Sequence, residues 1–191
     1  RFTMPNKIIV AITGASGSIY AQHLINRLIN QKSKPEEISL IFSENGKKVW
    51  EFEIGEFKLT SKNLHQYSND DFFAPVASGS AGYDAMIVIP CTMGTLGRIA
   101  SGTSDDLISR SADVMLKERK KLILVTREAP LNLIHIENMR IITLAGGIIY
   151  PASPSFYSKP NNKEELELTV VNRVLDLMGL ESEIHRWGTN G

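Results

Sequence analysis

The stretch that decides the fold is Ile8-Ile9-Val10-Ala11-Ile12-Thr13-Gly14-Ala15-Ser16-Gly17-Ser18. A β-branched run that breaks into small residues and then into a helical pattern marks a buried strand passing directly into its helix. In the helix that follows, Tyr20, Leu24, Leu28 and Ala21, Ile25, Ile29 form two apolar rows at four-residue spacing. The alternation continues outward from this unit. Ile38–Phe42, Met86–Pro90, Leu122–Thr126 and a short Ile148–Tyr150 read as further strands. Ser43–Phe52, Asp105–Arg119, Leu131–Ala145 and Lys163–Met178 read as helices. Strands that are apolar along their whole length, separated by helices, predict an α/β fold with a parallel sheet covered on both faces.

Composition narrows the class. Lys+Arg and Asp+Glu both number 21, so no charge excess points to nucleic acid or an anionic membrane surface as partner. One cysteine, Cys91, excludes an internal disulfide and fits a reducing compartment, so the cytoplasm is the expected location. No apolar run approaches the ~20 residues of a transmembrane helix. With no repeat, low-complexity tract or linker, residues 1–191 read as one domain. Residues 1–6 lack a signal-peptide layout and are expected to be disordered or left from cloning. Residues 153–191 read as a loop marked by Pro154 and Pro160, a last helix and a tail that packs at a subunit interface.

In an open α/β sheet, ligands bind beyond the carboxyl ends of the strands. Thr13–Ser18 stands at such an end and opens a helix, which suits it to a phosphate. It matches neither G-x-G-x-x-G nor a P-loop. Glu44 lies about 30 residues past Gly14, where a dinucleotide site expects an acid at about 20. NAD is thereby disfavoured and a mononucleotide such as FMN remains. Cys91-Thr92-Met93-Gly94-Thr95 brings hydroxyls and a glycine to another strand end, and Arg127-Glu128 to a third. Cys91 has no histidine near it in sequence and reads as a packed, inert thiol. Leu107, Arg110, Val114 and Lys117 share one helix face; Leu166, Val170, Arg173 and Leu177 share another, which puts Arg173 in a core-facing row. Arg110, Lys117, Arg127 and Arg173 are expected to converge beside the first loop, more cations than one FMN phosphate requires.

These segments, with Pro75-Val76-Ala77-Ser78-Gly79-Ser80, Leu116-Lys117-Glu118-Arg119, His135-Ile136-Glu137-Asn138-Met139, Pro154-Ser155-Phe156-Tyr157 and Arg186-Trp187-Gly188, resemble in order the UbiX-type flavin prenyltransferases. The resemblance implies a three-layer flavodoxin-like Rossmann variant, usually a homo-dodecamer with sites at subunit interfaces. It implies transfer of a dimethylallyl group from dimethylallyl phosphate to N5 and C6 of reduced FMN, without metal, giving prenylated FMN for a partner decarboxylase. Carried over, Gly14, Ala15, Ser16, Ser43, Thr92, Met93, Gly94, Thr95 and Arg127 would hold FMN. Tyr157, Arg173, Lys117 and Arg110 would hold the dimethylallyl phosphate. Glu128 and Lys117 would act at the leaving phosphate, and Glu53 with Ser16 would handle a proton at the flavin. Carboxylates in such a site are expected to have raised pKa values. Phe72 stands where the family commonly has Trp, keeping a weaker π-face for an allyl cation. Two alternatives stay open: an FMN-dependent cysteine-type decarboxylase of the same fold, and a non-catalytic FMN-binding protein. His23 and His65 lack the context of the first. His135 and His185 read as structural, and Trp187 as an anchor for the tail.

Overall fold

In a computed structural model, which describes residues 4–180 and 182, six strands form one sheet in the order β3-β2-β1-β4-β5-β6. The strands are β1 (Lys7–Ile12), β2 (Glu37–Phe42), β3 (Leu64–Tyr67), β4 (Ala85–Cys91), β5 (Lys121–Thr126) and β6 (Ile148–Pro151), and every pairing is parallel. The helices are α1 (Ser18–Asn30), α2 (Glu44–Glu53), α3 (Met93–Ala100), α4 (Leu107–Lys117), α5 (Leu133–Leu144) and α6 (Lys163–Met178).

Successive side chains of β1 serve opposite layers. Ile8, Val10 and Ile12 pack with Leu24 and Leu28 of α1, Trp50 of α2 and Val170 and Val174 of α6. Ile9 and Ala11 pack with Leu96 of α3, Met115 of α4 and Ile142 of α5. Both faces are covered, which is why the strand is an unbroken apolar run. The expected three-layer fold is present. The chain departs from β1 toward β2 on one side and β4 on the other, so a topological switch point lies between β1 and β4.

Four expectations need correction. Strand β3 was not expected: Leu64-His65-Gln66-Tyr67 is a short edge strand with only partial burial. Helix α3 was not expected either, because Gly94 and Gly97 weaken it. It forms because the Thr92 hydroxyl caps it and Met93, Leu96 and Ile99 are buried. Residues 4–6 are not loose: Pro5 is buried, and the Asn6 amide donates to Asp84 Oδ2 at 2.8 Å while its carbonyl accepts from Glu36. Residues 1–3 lie outside the described residues, as do His185 and Trp187. Arg173 is not in the core-facing row. Val170, Val171, Val174, Leu175 and Met178 make that row, and Arg173 turns outward to pair with Asp176.

Helix α5 has a different character. Of its residues only Ile142 is fully buried, while Leu133, Ile134 and Leu144 are 72%, 69% and 74% exposed. These side chains give α5 an exposed apolar face. No described helix is long and apolar enough to cross a membrane.

Candidate active site

A buried hydroxyl bridges the switch point. Thr13 Oγ1 donates to the Pro90 carbonyl at 2.7 Å and accepts from the Thr92 amide at 2.9 Å, tying the end of β1 to the end of β4. Thr13 is buried, so its bonds fix the two strand-end loops relative to each other.

Beyond these ends lies a cleft of about 530 Å³ lined by Thr13, Gly14, Asn45, Gly94, Thr95 and Arg98, among others. A second hollow of about 480 Å³, with Phe72 and Tyr67 in its wall, adjoins it through shared Ser43, Glu44, Asn69, Asp105 and Asp106. Each is within the ~300–1,000 Å³ of ordinary cofactor sites. Two helix N-termini point into the first. Ser43 caps α2 by accepting from Gly46, and Thr92 caps α3 by accepting from Thr95 at 3.1 Å. The first-turn amides of Glu44, Asn45, Met93 and Gly94 have no acceptor among the described residues, the arrangement that suits an anion. Gly14 is needed where it is: a Cβ there would lie 2.7 Å from Asn45 Cβ.

The α1 N-terminus is different, and it corrects the reading of Thr13–Ser18 as an open phosphate loop. Gly17, at φ 111°, precedes α1 without a side-chain cap. Glu53, at the end of α2, supplies the missing acceptor. Its Oε2 takes the Gly17 amide at 3.0 Å and the Ser18 amide at 2.9 Å. The negative charge at the α1 dipole is thus built into the protein. Burial opposes ionisation of Glu53, but the Ser16 hydroxyl and the two amides outweigh it and hold the carboxyl below its ordinary value. This reverses the expected direction for that carboxylate.

A stability test follows from the sign. A carboxyl whose folded pKa is depressed contributes fully above its ordinary value of 4.5, and the contribution fades as pH falls through the lower folded value. The Tm advantage of the wild-type protein over Glu53→Gln should therefore shrink as pH drops below 4.5. Parallel Tm–pH curves would show that Glu53 does not cap α1.

Cys91 is fully buried, and burial pushes its thiol up to about 12, consistent with an inert packed group. His23 Nε2 lies 3.0 Å from Glu167 Oε2 and bridges α1 to α6. His135 completes a capping box at the start of α5 with Asn132. No group of three His, Cys, Asp or Glu among the described residues could hold a metal ion.

A family model for flavoproteins matches residues 3–171. A flavin prenyltransferase UbiX of Methanocaldococcus jannaschii is 46% identical over 186 residues, covering 96% of this chain and 99% of its own. The chain belongs to the UbiX flavin prenyltransferase family. A UbiX crystal structure, AnUbiX (PadA1) in complex with FMN and dimethylallyl pyrophosphate, superimposes with a TM-score of 0.84 at 41% identity, over 97% of this chain and 98% of that one. A dodecameric FMN-dependent UbiX-like decarboxylase from Escherichia coli O157:H7 gives 0.86 at 38% identity, over 95% and 98%. The peptidyl-cysteine decarboxylase EpiD, at 18% identity and 0.58, shares the fold alone.

Of the residues singled out from the UbiX resemblance, Gly14, Ser43, Thr92, Gly94 and Thr95 line the first cleft and Phe72 the second. Ser16 stands beside Glu53, and Ala15 continues the same loop. Met93, the first residue of α3, is buried. The expected convergence of four cations does not occur within one chain. Arg110 and Lys117 lie on α4: Arg110 Nε donates to the Ala77 carbonyl and its Nη1 meets Asp113 at 3.1 Å, while Lys117 pairs with Glu118. Arg127 and Arg173 lie toward the opposite, α1–α6 face. Arg127 acts on the half-buried Tyr20 and Arg173 on Tyr150; burial raises both phenols and each arginine pulls its own back. Lys117 precedes β5 and Glu128 follows it, so the six-residue strand keeps them roughly 17 Å or more apart. Glu128 and Tyr157 are exposed at strand-end loops, Tyr157 at 68%. Sequence reasoning missed Asn45, Asn69, Arg98, Asp105 and Asp106, all of which line the cleft.

Proposed function

We propose that this chain is a flavin prenyltransferase that joins a dimethylallyl group from dimethylallyl phosphate to N5 and C6 of reduced FMN, supplying prenylated FMN to a partner decarboxylase. The observation that carries the reading is the groove at the β1–β4 switch point, with two helix starts whose first amides lack acceptors among the described residues at one end and aromatic Phe72 and Tyr67 at the other. Bound FMN supplies the electron-rich ring that receives the prenyl group.

The residues divide the work. Gly14, Ala15 and Ser16 offer backbone at the loop, Ser43 and Thr92–Thr95 hold the phosphate end, and Arg127 closes the site from β5. Because Glu53 already satisfies the α1 terminus, the phosphate belongs at α2 and α3. Glu53, kept ionised, accepts from Ser16 and orients that hydroxyl toward the flavin for proton transfer. Phe72 gives a π-face to the electron-poor allyl fragment. Tyr157, Arg173, Arg110 and Lys117 bind the dimethylallyl phosphate and stabilise the charge that grows on its leaving oxygen, and Glu128 exchanges a proton there.

Since α4 and the end of β5 cannot meet in one chain, the phosphate pocket is completed by neighbouring copies. The apolar face of α5 and exposed Phe156 supply the contact surface. The assembly is a homo-dodecamer in the cytoplasm, and the reaction needs no metal. The cysteine-decarboxylase reading is less well supported, because His23 is engaged by Glu167.

The test is to incubate the protein anaerobically with reduced FMN and dimethylallyl phosphate, or the diphosphate in a parallel arm, and weigh the flavin released. A gain of one isoprenyl unit is expected. Unchanged FMN in both arms would sink the proposal.

A further inference from the structure

The FMN-binding reading leaves a charge problem at the phosphate end of the groove. Glu44, Asp105 and Asp106 all line the first cleft, and three carboxylates would repel a phosphate dianion. Arg98 is the cation among the described residues lining that cleft. It sits on α3, one turn after Thr95, and its Nη2 donates to Thr95 Oγ1 at 3.3 Å.

The geometry around Arg98 is unfinished. Asp105 Oδ1 is 3.7 Å from Nε, and Asp106 Oδ2 is 3.6 Å from Nη2, close enough for attraction and too long for hydrogen bonds. The buried Nε has no hydrogen-bond partner among the described residues. Asp106 cannot simply close in. Asp106 Oδ1 caps α4 through the Ser109 amide at 2.7 Å, and its Oδ2 accepts from Asn69 at 3.2 Å. The guanidinium is therefore aimed and held in place by charge while most of its five donors stay available.

We infer that Arg98 is a specificity-determining residue that recognises the flavin's terminal phosphate, and so makes the groove select FMN over unphosphorylated riboflavin. Its planar fork offers paired donors to phosphate oxygens beside the Met93 and Gly94 amides, and its charge offsets the acidic rim. The inference rests on the FMN-binding reading and adds a residue that the reading does not contain.

The experiment measures dissociation constants of oxidised FMN and riboflavin, by flavin fluorescence, for wild type, Arg98→Ala and Arg98→Lys. For Arg98→Ala, FMN should weaken by roughly 10- to 100-fold while riboflavin stays within about twofold, since a hydrogen bond to a charged group is lost only for the phosphate. Arg98→Lys should recover part of the FMN loss and leave riboflavin unmoved. Equal weakening of both flavins, or of neither, overturns the role of Arg98. Prenyl transfer by the wild-type protein alongside that result leaves the proposed function standing. A wild-type protein that binds neither flavin overturns both.

Discussion

Glu128→Gln should abolish prenyl transfer while leaving the flavin bound. Glu128 stands immediately after β5 at the carboxyl edge of the sheet, where its Oε1 accepts from the Ala129 amide at 3.1 Å and the rest of the carboxylate is exposed. It takes no part in the hydrogen bonds that shape the switch point, which run through Thr13, Pro90 and Thr92. Its removal therefore should not disturb the FMN groove. Glutamine keeps the size and can still donate or accept a hydrogen bond, but it cannot exchange a proton with the leaving phosphate. General acid–base catalysis is typically worth ~10²–10⁴-fold, and a fall of that size in kcat is expected, with the FMN dissociation constant within about twofold of wild type. Single-turnover formation of prenylated flavin, followed by mass, gives the first number and flavin fluorescence the second. A variant retaining half of the wild-type rate would remove Glu128 from the chemistry and leave it as a surface acid.

How far the residues announced this arrangement depends on whether local pattern or tertiary contact controls each element. The β1 run could be read because both of its faces are buried, which forces every position to be apolar. The same logic exposed β2, β4 and β5. It failed for β3, whose edge position leaves His65 and Gln66 in solvent and breaks the run. It failed for α3 because two glycines contradict helix propensity, and burial of Leu96 and Ile99 overrides them. Missing α3 meant missing Arg98, whose place in the cleft depends on that helix. Glu53 was put forward as a candidate site residue only through the resemblance. Its contact with Gly17 and Ser18 joins the far ends of two helices, and no spacing along the chain predicts it. Arg173 was misplaced for a related reason: α6 carries two apolar stripes at helical spacing, and only contact with α1 chooses between them. The four cations were picked out by residue type and helix face, but the sheet lies between the α4 pair and the α6 side.

That division makes a strong prediction about assembly. If Lys117 and Glu128 serve the same dimethylallyl phosphate, they must come from different copies, because β5 separates them by roughly 17 Å or more in one chain. Lys117→Ala and Glu128→Gln should each be inactive as pure assemblies. Co-expressed with different tags and isolated as mixed assemblies, they should regain activity. In a randomly mixed assembly about a quarter of the sites would pair a wild-type Lys117 from one copy with a wild-type Glu128 from another. Neither residue supports the fold: Lys117 is half-exposed beside Glu118, and Glu128 is exposed. Mixed assemblies should accordingly form as readily as wild type. Recovery from near zero to about that fraction would require an intersubunit site. Mixed assemblies, verified by native mass spectrometry, that stay as inactive as their parents would mean that Lys117 and Glu128 do not meet across an interface. The phosphate-binding role of α4 would then have to be withdrawn, while the flavin groove at the β1–β4 switch point, built within one chain, would be untouched.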